Sequence, residues 1–444
     1  NRGGRRKGRG EVRMFSVFKN AWKIEDLREK ILYTLLIIVI FRVGSAIPVP
    51  FLDTSALSAL MNANSGNLIG YLNMLTGGVL SQATIFSLSI SPYITASIVI
   101  QLLAVAIPAL EKMSKEGPEG RKKLNKITRY TTVGLGLIQA YAYYVTLKSY
   151  NAIEKFDNKW ENALVVVTIL FMFTAGAMLT MWLGERIDEK GIGNGISMLL
   201  FAGIVSGGPR LVTTLWAYLT SGQTKYYFFV PALIIIFLLL IAFIVLMNDA
   251  ERRIPVQYAK RVVGRKQYGG QSSHIPIKVA MAGVLPIIFA SSLLAIPATV
   301  KAFVTVKEGS FWDGFFNLFE STSWFYSVLY FILIVAFSYF YIAIQYNPVE
   351  MANNLQKNNG AIPGIRPGRP TSDFISRVIT KITFIGALFL GVIALLPNIL
   401  GAASGIGNVG IGGTTIIIVV SVALETARNL ESQMMMRHYK GFLD

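Results

Sequence analysis

The 444-residue chain is 53% hydrophobic and 15% charged, whereas charged residues make up about 25% of a typical globular chain. Its formal net charge is +18, and it has no cysteine and only two histidines, His274 and His438. This composition excludes disulfides, thiol catalysis and cysteine-ligated metals, and it predicts an integral membrane protein that needs no metal or other cofactor.

Residues 1–13 form a basic extension with six Lys/Arg and one Glu. Met14 followed by Phe15 resembles a natural start, so the extension is either a start-site artefact or a basic tail on the cytosolic face. We leave these thirteen residues out of the prediction of the fold.

Long apolar runs predict an all-α fold with ten transmembrane helices, since about 20 apolar residues cross a hydrocarbon core. The small residues at 44–46 suit signal cleavage, but Arg42 and Pro48 argue against it, and the first run is therefore interpreted as a span. The predicted spans are 31–47, 91–110, 130–150, 163–183, 195–207, 229–247, 279–300, 325–345, 378–397 and 412–427.

The placement of Lys and Arg predicts the orientation of these spans. With the N-terminus inside, the inner segments hold 34 of these residues and the outer segments hold seven, with Arg42 inside a span. Because cytoplasmic loops of membrane proteins are rich in Lys and Arg, both termini are expected in the cytoplasm.

Ten spans divide into two halves of five, residues 14–207 and 229–430, joined by a hinge loop at 208–228 and followed by a cytosolic tail at 431–444. Because five is odd, the second half enters the membrane from the opposite side. This count predicts two inverted five-helix halves with a pathway at their interface.

Features expected of a transporter or an enzyme are missing from the predicted spans. Ion-coupled transporters carry charges near mid-membrane, but here the central turns are uncharged, and Arg42 and Glu425 lie near span ends. The sequence also has no phosphate-binding loop of the G-x-x-x-x-G-K-[ST] type and no catalytic constellation. It favours a conduit driven from outside over an enzyme or, as the alternative, a small-solute secondary transporter.

Prolines and glycines interrupt three of the predicted spans. Pro92 begins the second, Pro286 and Pro297 lie in the seventh, and Gly191-Ile192-Gly193-Asn194-Gly195 precedes the fifth. Broken helices at membrane depth occur where they line a cavity, although each of these sites also fits an ordinary helix kink.

The outer segment 48–90 contains an apolar stretch too short to span the membrane. Such a helix either lies flat at the interface or folds back into the pathway and blocks it. The residues of the stretch are Leu68, Ile69, Tyr71, Leu72, Met74 and Leu75.

The inner loops 249–277 and 346–373 are longer than orientation alone requires. They hold the candidate docking residues, which are Arg252, Arg253, Lys260, Arg261, Arg265, Lys266, Arg366 and Arg369. Long basic loops favour docking of ribosomal RNA or an acidic protein surface over a merely solvated anchor.

Several motifs resemble the SecY family of protein-export channels, in the family's order from about Met14 to the C-terminus. The matching residues are 41–44 and 47–50, 91–98 and 101–103, 191–197, 258–261, 271–274, 282–284, 289–292, and 363–368, which reads Pro-Gly-Ile-Arg-Pro-Gly. Each motif alone is weak, but so many in one order are specific.

The resemblance implies roles for individual residues. It places a plug within 65–78, and a lateral gate between the second and seventh spans at Ser97, Gln101, Ser291 and Ser292. It also implies a constriction of aliphatic side chains, Ile90, Ile94, Ile196, Leu200, Ile288 and Ile418. Aliphatic rings close a pore by dewetting and form no sequence-specific bonds.

The resemblance further implies a function, a location and a set of partners. The function is a passive channel in the bacterial plasma membrane that secretes unfolded polypeptides and releases apolar helices sideways into lipid. The implied partners are the small subunits SecE and SecG, the motor ATPase SecA, the ribosome with its RNA, signal sequences and membrane lipids. Arg366 falls at the key arginine of the family's Ile-Arg-Pro-Gly motif.

Overall fold

The computed structural model describes most of the chain, and the plug assignment at 65–78 lies outside the described residues. The described residues are 21–53, 82–149, 152–154, 158–220, 224–258, 261–263, 266–268, 272–303, 310–319, 323–404 and 413–440. The basic extension 1–13 lies outside them as well.

Helices dominate the described residues. In chain order they are α1 (Glu25–Gly44), α2 (Ser91–Ala106), α3 (Pro108–Lys115), α4 (Pro118–Ser149), α5 (Lys159–Lys190), α6 (Gly195–Ser206), α7 (Gly208–Thr220), α8 (Thr224–Asp249), α9 (Leu285–Phe303), α10 (Phe311–Leu318), α11 (Trp324–Gln345), α12 (Pro348–Lys357), α13 (Arg369–Ser404) and α14 (Gly413–Lys440).

Each of the ten predicted spans overlaps at least one of these helices, several of which extend beyond the predicted bounds. By length and composition, four helical stretches of the described residues qualify to cross a membrane, and a fifth qualifies if α2 and α3, bent by 107° at Ile107, count as one span. The helix α6 is apolar but too short for this criterion. The chain is therefore a helical membrane protein, and ten spans remain a prediction.

The expectation of an all-α fold is wrong for the two inner loops. They contain β1 (Glu251–Tyr258), β2 (Arg261–Val263), β3 (Lys266–Tyr268), β4 (Ser272–Lys278) and β5 (Gly360–Ala361). The first, fourth and fifth strands form one antiparallel sheet in the order β4-β1-β5, and β2 pairs with β3. The burial of β1 alternates over Ile254 and Val256, as expected for a strand with one face on a core.

Two other segments, predicted as a loop and as a tail, are largely helical. Helix α7 occupies most of the stretch 208–228 that was predicted as a loop. Helix α14 continues without a break to Lys440, through the region predicted as a tail. Both segments form helices beyond the apolar runs that defined the prediction, because a hydropathy pattern marks membrane contact and not the end of a helix.

The core is divided between the two halves of the chain. One apolar cluster gathers residues of α8, α9, α11, α13 and α14. Two others gather residues of α1, α4, α5 and α6 together with the irregular segment 82–90. Helix α2 joins both sides, because its Ile94 packs against the first cluster and also against the third.

Irregular backbone precedes both α2 and α9, and in each case it crosses a glycine of a long helix. A Cβ added at Gly176 of α5 would overlap the carbonyl oxygen of Ile85, and one added at Gly386 of α13 would overlap that of Val279. The helix that follows begins one residue before a proline, Pro92 in α2 and Pro286 in α9. Non-helical backbone of this kind is tolerated in membrane proteins when protein covers it.

Candidate pore and docking surface

The glycine-rich turn between α5 and α6 is fixed by side-chain hydrogen bonds. Asp188 Oδ1 accepts from Gly195 N at 2.7 Å, and Asn194 Oδ1 caps α6 by accepting from Ser197 N at 3.0 Å. Thr34 Oγ1 of α1 accepts from Ile192 N at 3.1 Å. These bonds satisfy amide groups at the start of a helix, which otherwise lack partners.

Two glycines make this turn possible. Gly193 has a φ of +76°, a conformation that L side chains rarely adopt. A Cβ on Gly195 would overlap the carbonyl oxygen of Gly184. The turn therefore seats the first residues of α6 directly against α5, and the predicted constriction residue Ile196 follows at once.

Four of the six predicted constriction residues lie together. Ile90 is buried, and Ile94, Ile196 and Leu200 are partly buried in the same apolar cluster. Ile90 Cδ1 and Ile196 Cγ1 lie 3.5 and 3.6 Å from the position that a Cβ on Gly184 would take. The cluster thus joins two parts of the sequence about a hundred residues apart.

The other two constriction residues come from the second half of the chain. Ile418 of α14 is buried and Ile288 of α9 is half-buried. Within the described part of the chain, neither belongs to the cluster around Ile90. The structure therefore assembles the first-half portion of the predicted ring as a packed unit and leaves the second-half portion outside it.

The two helices of the predicted gate touch. On α2, Ile94, Ile98 and Leu102 are spaced four residues apart and pack into the cluster that contains Ile287, Ala290 and Leu294 of α9. This spacing places the three side chains on one helix face. The sequence prediction missed Ile98 and Leu102, although their spacing from Ile94 is visible in the sequence.

The polar residues predicted for the gate are satisfied within their own helices. Gln101 Nε2 donates to Ser97 Oγ at 3.1 Å, and Ser291 Oγ donates to the Ile288 carbonyl at 2.9 Å. Ser97, Gln101, Ser291 and Ser292 are all partly buried. The structure places them on the two helices that meet, and the contact itself is apolar.

Arg42 caps the end of α6. Its guanidinium donates to the carbonyl oxygens of Ala202 and Gly203 at 2.7 and 3.2 Å. Carbonyls in the last turn of a helix lack partners, and a cation there also complements the helix dipole. The sequence prediction treated Arg42 only as a charge near a span end and missed this role.

The two inner loops are joined by backbone pairing. In the three-stranded sheet, β1 pairs with β4 along seven residues of each strand, from Glu251↔Lys278 to Gln257↔Ser272. The same strand pairs with β5 at Gln257↔Ala361 and Tyr258↔Gly360. The sequence predicted two separate docking loops, and the structure makes them one platform.

Four of the candidate docking residues are exposed at or near this platform. Arg252, Arg253, Arg366 and Arg369 are exposed, and Arg253 Nε lies 2.6 Å from Glu251 Oε1. The Arg366 backbone is held in place because its carbonyl accepts from Thr371 Oγ1 at 2.8 Å. Arg261 and Lys266 lie in β2 and β3, and Lys260 and Arg265 lie outside the described residues.

Charged residues surround the base of the platform, where α8, β4 and α14 meet. Arg428 donates to the Asn248 carbonyl at 2.8 Å and pairs with Asp249. Burial and then the neighbouring Arg428 lower the pKa of Lys278, while Glu251, Asp249 and Glu425 raise it. The ion pair between Arg428 and Asp249 therefore links the last helix of the chain to the end of α8, just before β1. Among the described residues, no group of three or more His, Cys, Asp or Glu could hold a metal ion.

The chain is similar to known proteins over most of its length. Residues 84–427 match the family model of SecY. The chain is 44% identical over 443 residues to the protein translocase subunit SecY of Streptomyces galbus, covering 97% of this chain and 100% of the relative. It is 43% identical over 435 residues to the subunit of the same name from Thermotoga maritima, at 97% and 98% coverage.

Solved structures share the fold at low sequence identity. A structure of a protein-conducting channel aligns with a TM-score of 0.61 and 18% identity, and a SecY structure that concerns its plug domain aligns with 0.63 and 19%. Sec61 in the canine ribosome–channel complex aligns with 0.59 and 17%. Each alignment covers 92% of both chains.

Proposed function

Because this chain belongs to the SecY family and is a protein-conducting channel of the membrane, we propose that its pathway runs between two inverted halves and closes at the aliphatic cluster around Ile90. It is a channel subunit and not an enzyme. Family membership does not favour the alternative of a small-solute transporter.

The observation that carries this proposal is the convergence of Ile90 and Ile94 with Ile196 and Leu200. Two distant motifs meet in one apolar cluster, and Ile288 and Ile418 complete the proposed ring from the second half. An aliphatic constriction suits a channel for many sequences, because it excludes water when closed and makes no side-chain-specific bonds when a chain passes.

The two glycine crossings support the inverted halves, each of five spans. The segment before α2 crosses α5, and the segment before α9 crosses α13. In the predicted count these are the second and fourth spans of the first half and the second and fourth spans of the second half. The same arrangement therefore recurs at the same place in each half.

Lateral opening takes place between α2 and α9 in this proposal. The two helices are in contact, and the Ile94, Ile98 and Leu102 stripe packs into the same apolar cluster as residues of α9, so little is lost when a signal helix of similar character replaces one side. Apolar segments of a passing chain then leave sideways into lipid, where about 20 apolar residues are stable.

The residues 65–78 are proposed to form the plug that seals the outer side. They lie outside the described residues, so the proposal depends on their apolar sequence and on the family. We expect removal of residues 68–75 to leave a channel that exports protein but leaks ions when idle, because a plug seals and does not conduct.

The platform of β1, β4 and β5 is the proposed docking surface for SecA and the ribosome. Arg252, Arg253, Arg366 and Arg369 offer exposed charge to an acidic protein surface or to RNA phosphates. We propose that SecE and SecG accompany the channel, and that it lies in the bacterial plasma membrane with both termini in the cytoplasm. The Lys/Arg distribution of 34 inside against seven outside supports this orientation.

Reconstitution tests the proposed function. Vesicles that contain this chain with SecE and SecG should import a secretory precursor when SecA and ATP are supplied, and should fail to import the same precursor without its signal sequence. Import of a labelled small solute without import of the precursor would instead indicate the transporter alternative.

A further inference from the structure

The segment between α9 and α11 is dense in aromatic residues that touch one another. In α10, the rings of Trp312 and Phe316 lie 6.4 Å apart and those of Phe315 and Phe319 lie 5.1 Å apart. The series continues into α11, where the Phe319 and Phe325 centroids are 5.8 Å apart. These contacts link α10 to the start of the next span.

Helix α10 is amphipathic, with its apolar face turned away from the protein. Phe311, Trp312, Phe315 and Leu318 share one face at 3.6-residue spacing, and Asp313 and Asn317 lie on the other. Phe311 is 82% exposed and Trp312 58% exposed, whereas Phe316 is buried. The buried ring of Phe316 thus packs α10 against the protein, and the four side chains of the apolar face are exposed.

This apolar face is continuous with the lipid-facing surface of α11. Trp324, the first residue of α11, is 75% exposed, and Val328 and Ile332 follow it at four-residue spacing, about half exposed. Exposed tryptophan at the end of a span is typical of the boundary between headgroups and acyl chains. Helix α10 contacts both α9 and α11, so it lies where these spans leave the hydrocarbon.

Charge distinguishes this helix from one that binds anionic headgroups. Between residues 310 and 319 there is no Lys or Arg, and the single charged side chain is Asp313. Attraction to anionic lipid therefore contributes nothing, and the apolar face must supply the interaction.

We propose that α10 is an interfacial helix whose partner is the bilayer itself. On the surface that the Lys/Arg distribution assigns to the outside, Phe311, Trp312, Phe315 and Leu318 insert between headgroups and acyl chains. Through its contact with α9, the helix fixes the outer end of one gate helix at the lipid boundary. This inference depends on the membrane location of the chain and not on passage of polypeptides through it.

Single spin labels test this placement directly, because the chain has no cysteine. Cysteines at Phe311 and Phe315 report on the apolar face. Asn317→Cys is the control, since Asn317 is exposed and lies on the opposite face of the helix with Asp313. Leu238→Cys in α8 is the reference for contact with lipid, because this side chain is exposed on an apolar span. The labelled full-length chain is measured with SecE and SecG in phosphatidylcholine vesicles.

The readout is collision of each label with oxygen, which concentrates in lipid, and with a nickel chelate, which stays in water. We expect labels at Phe311 and Phe315 to collide severalfold more with oxygen than with nickel, as at Leu238, and the label at Asn317 to show the reverse. Addition of phosphatidylglycerol should leave these ratios unchanged.

Three outcomes would overturn the proposal. Nickel access at Phe311 and Phe315 equal to that at Asn317 would place the helix in water. Protection from both reagents would mean that another protein covers it. A strong dependence on phosphatidylglycerol would mean that headgroup charge governs the contact. Each measurement is made on the idle channel, so loss of export alone does not affect the result.

Discussion

At Gly176 and at Gly386 an irregular segment crosses a long helix in the same way, but the surroundings of the two crossings differ. Around Ile85, the residues from Ala83 to Ile90 are buried apart from Ile85 itself, and Phe86 stacks on Phe41 with centroids 5.6 Å apart. Around Val279, most residues from 279 to 284 are half-exposed, and Ala282 is the buried one. Helix α2 therefore starts from an enclosed anchor and α9 from an open one, so opening of the gate should move α9 more easily than α2.

The largest effect is expected from filling the enclosed crossing. Gly176→Val should prevent accumulation of folded protein, because its side chain would overlap the Ile85 carbonyl in surroundings that cannot shift. Gly386→Val should fold with a lowered thermal midpoint, at a cost of about 1–3 kcal/mol, which is typical of overpacking. Folded yield and thermal unfolding in detergent measure both.

The control for this pair is Gly134→Ala in α4, where an added Cβ meets no atom within 4 Å. Alanine favours helix over glycine by about 1 kcal/mol, so this variant should be as stable as the parent or slightly more so. If Gly176→Val folds as well as Gly386→Val, the two crossings do not differ in rigidity.

A reversible loss of export is expected from locking the two helices together. Cysteines at Ser97 and Ser291, and at neighbouring pairs, should form a disulfide in the idle channel wherever their Cα atoms lie within about 7 Å. Oxidation should block export and reduction should restore it. The single-cysteine variants are the controls. Normal export by a fully crosslinked channel would mean that α2 and α9 do not separate.

Charge reversal on the docking platform should have a smaller but still large effect. Arg366→Glu should lower SecA affinity at least tenfold, about 1.4 kcal/mol, and reduce motor-driven export while the channel stays folded. Lys159→Glu, an equally exposed charge at the start of α5, should leave both unchanged. Equal SecA affinity in the two variants would remove Arg366 from the docking surface.

The smallest effect is expected from polar substitutions in the proposed ring. Ile94→Asn, Ile288→Asn and Ile418→Asn should each raise export of precursors with defective signal sequences a few-fold, because an amide favours a wetted constriction. Ile→Val at the same positions is the matched control and should preserve signal stringency. If all three asparagine variants keep parental stringency and ion leak, these residues do not form the constriction.

The apolar runs in the sequence overlap helices of the structure, because hydropathy directly reports which segments prefer lipid, whereas the count of ten membrane crossings stays a prediction. The sequence did not predict β1 pairing with β5, since Tyr258 and Gly360 are a hundred residues apart and neither loop has a strong strand pattern. It also missed the Arg42 cap and the Asp188 and Thr34 contacts at the glycine-rich turn. The Arg42 and Thr34 bonds join segments about 160 residues apart, and the Asp188 bond spans seven residues across an irregular turn, so no periodic pattern in the sequence indicates them.

The candidate site was predictable to different degrees. Ile90/Ile94 and Ile196/Leu200 were assigned from motifs, and their meeting in one cluster agrees with a shared role, which stays a prediction. The four-residue spacing from Ile94 to Leu102 indicates one apolar helix face in the sequence. The sequence does not indicate that α9 packs against this face, because the pattern of one helix does not identify the neighbour that covers it. The amphipathic α10 was overlooked because it is shorter than a span.

The pairing of β1 with both β4 and β5 has a mechanical consequence. If a motor docks at Arg366 as proposed, it would apply its load beside β5, and the backbone hydrogen bonds to β1 would carry part of that load as shear into the neighbouring strand. Strand β1 follows α8 and β4 leads to α9, so thrust delivered at one loop is shared by the helices that flank both. Under the proposed docking, the sheet would distribute a local push over the helices on either side of it in the second half.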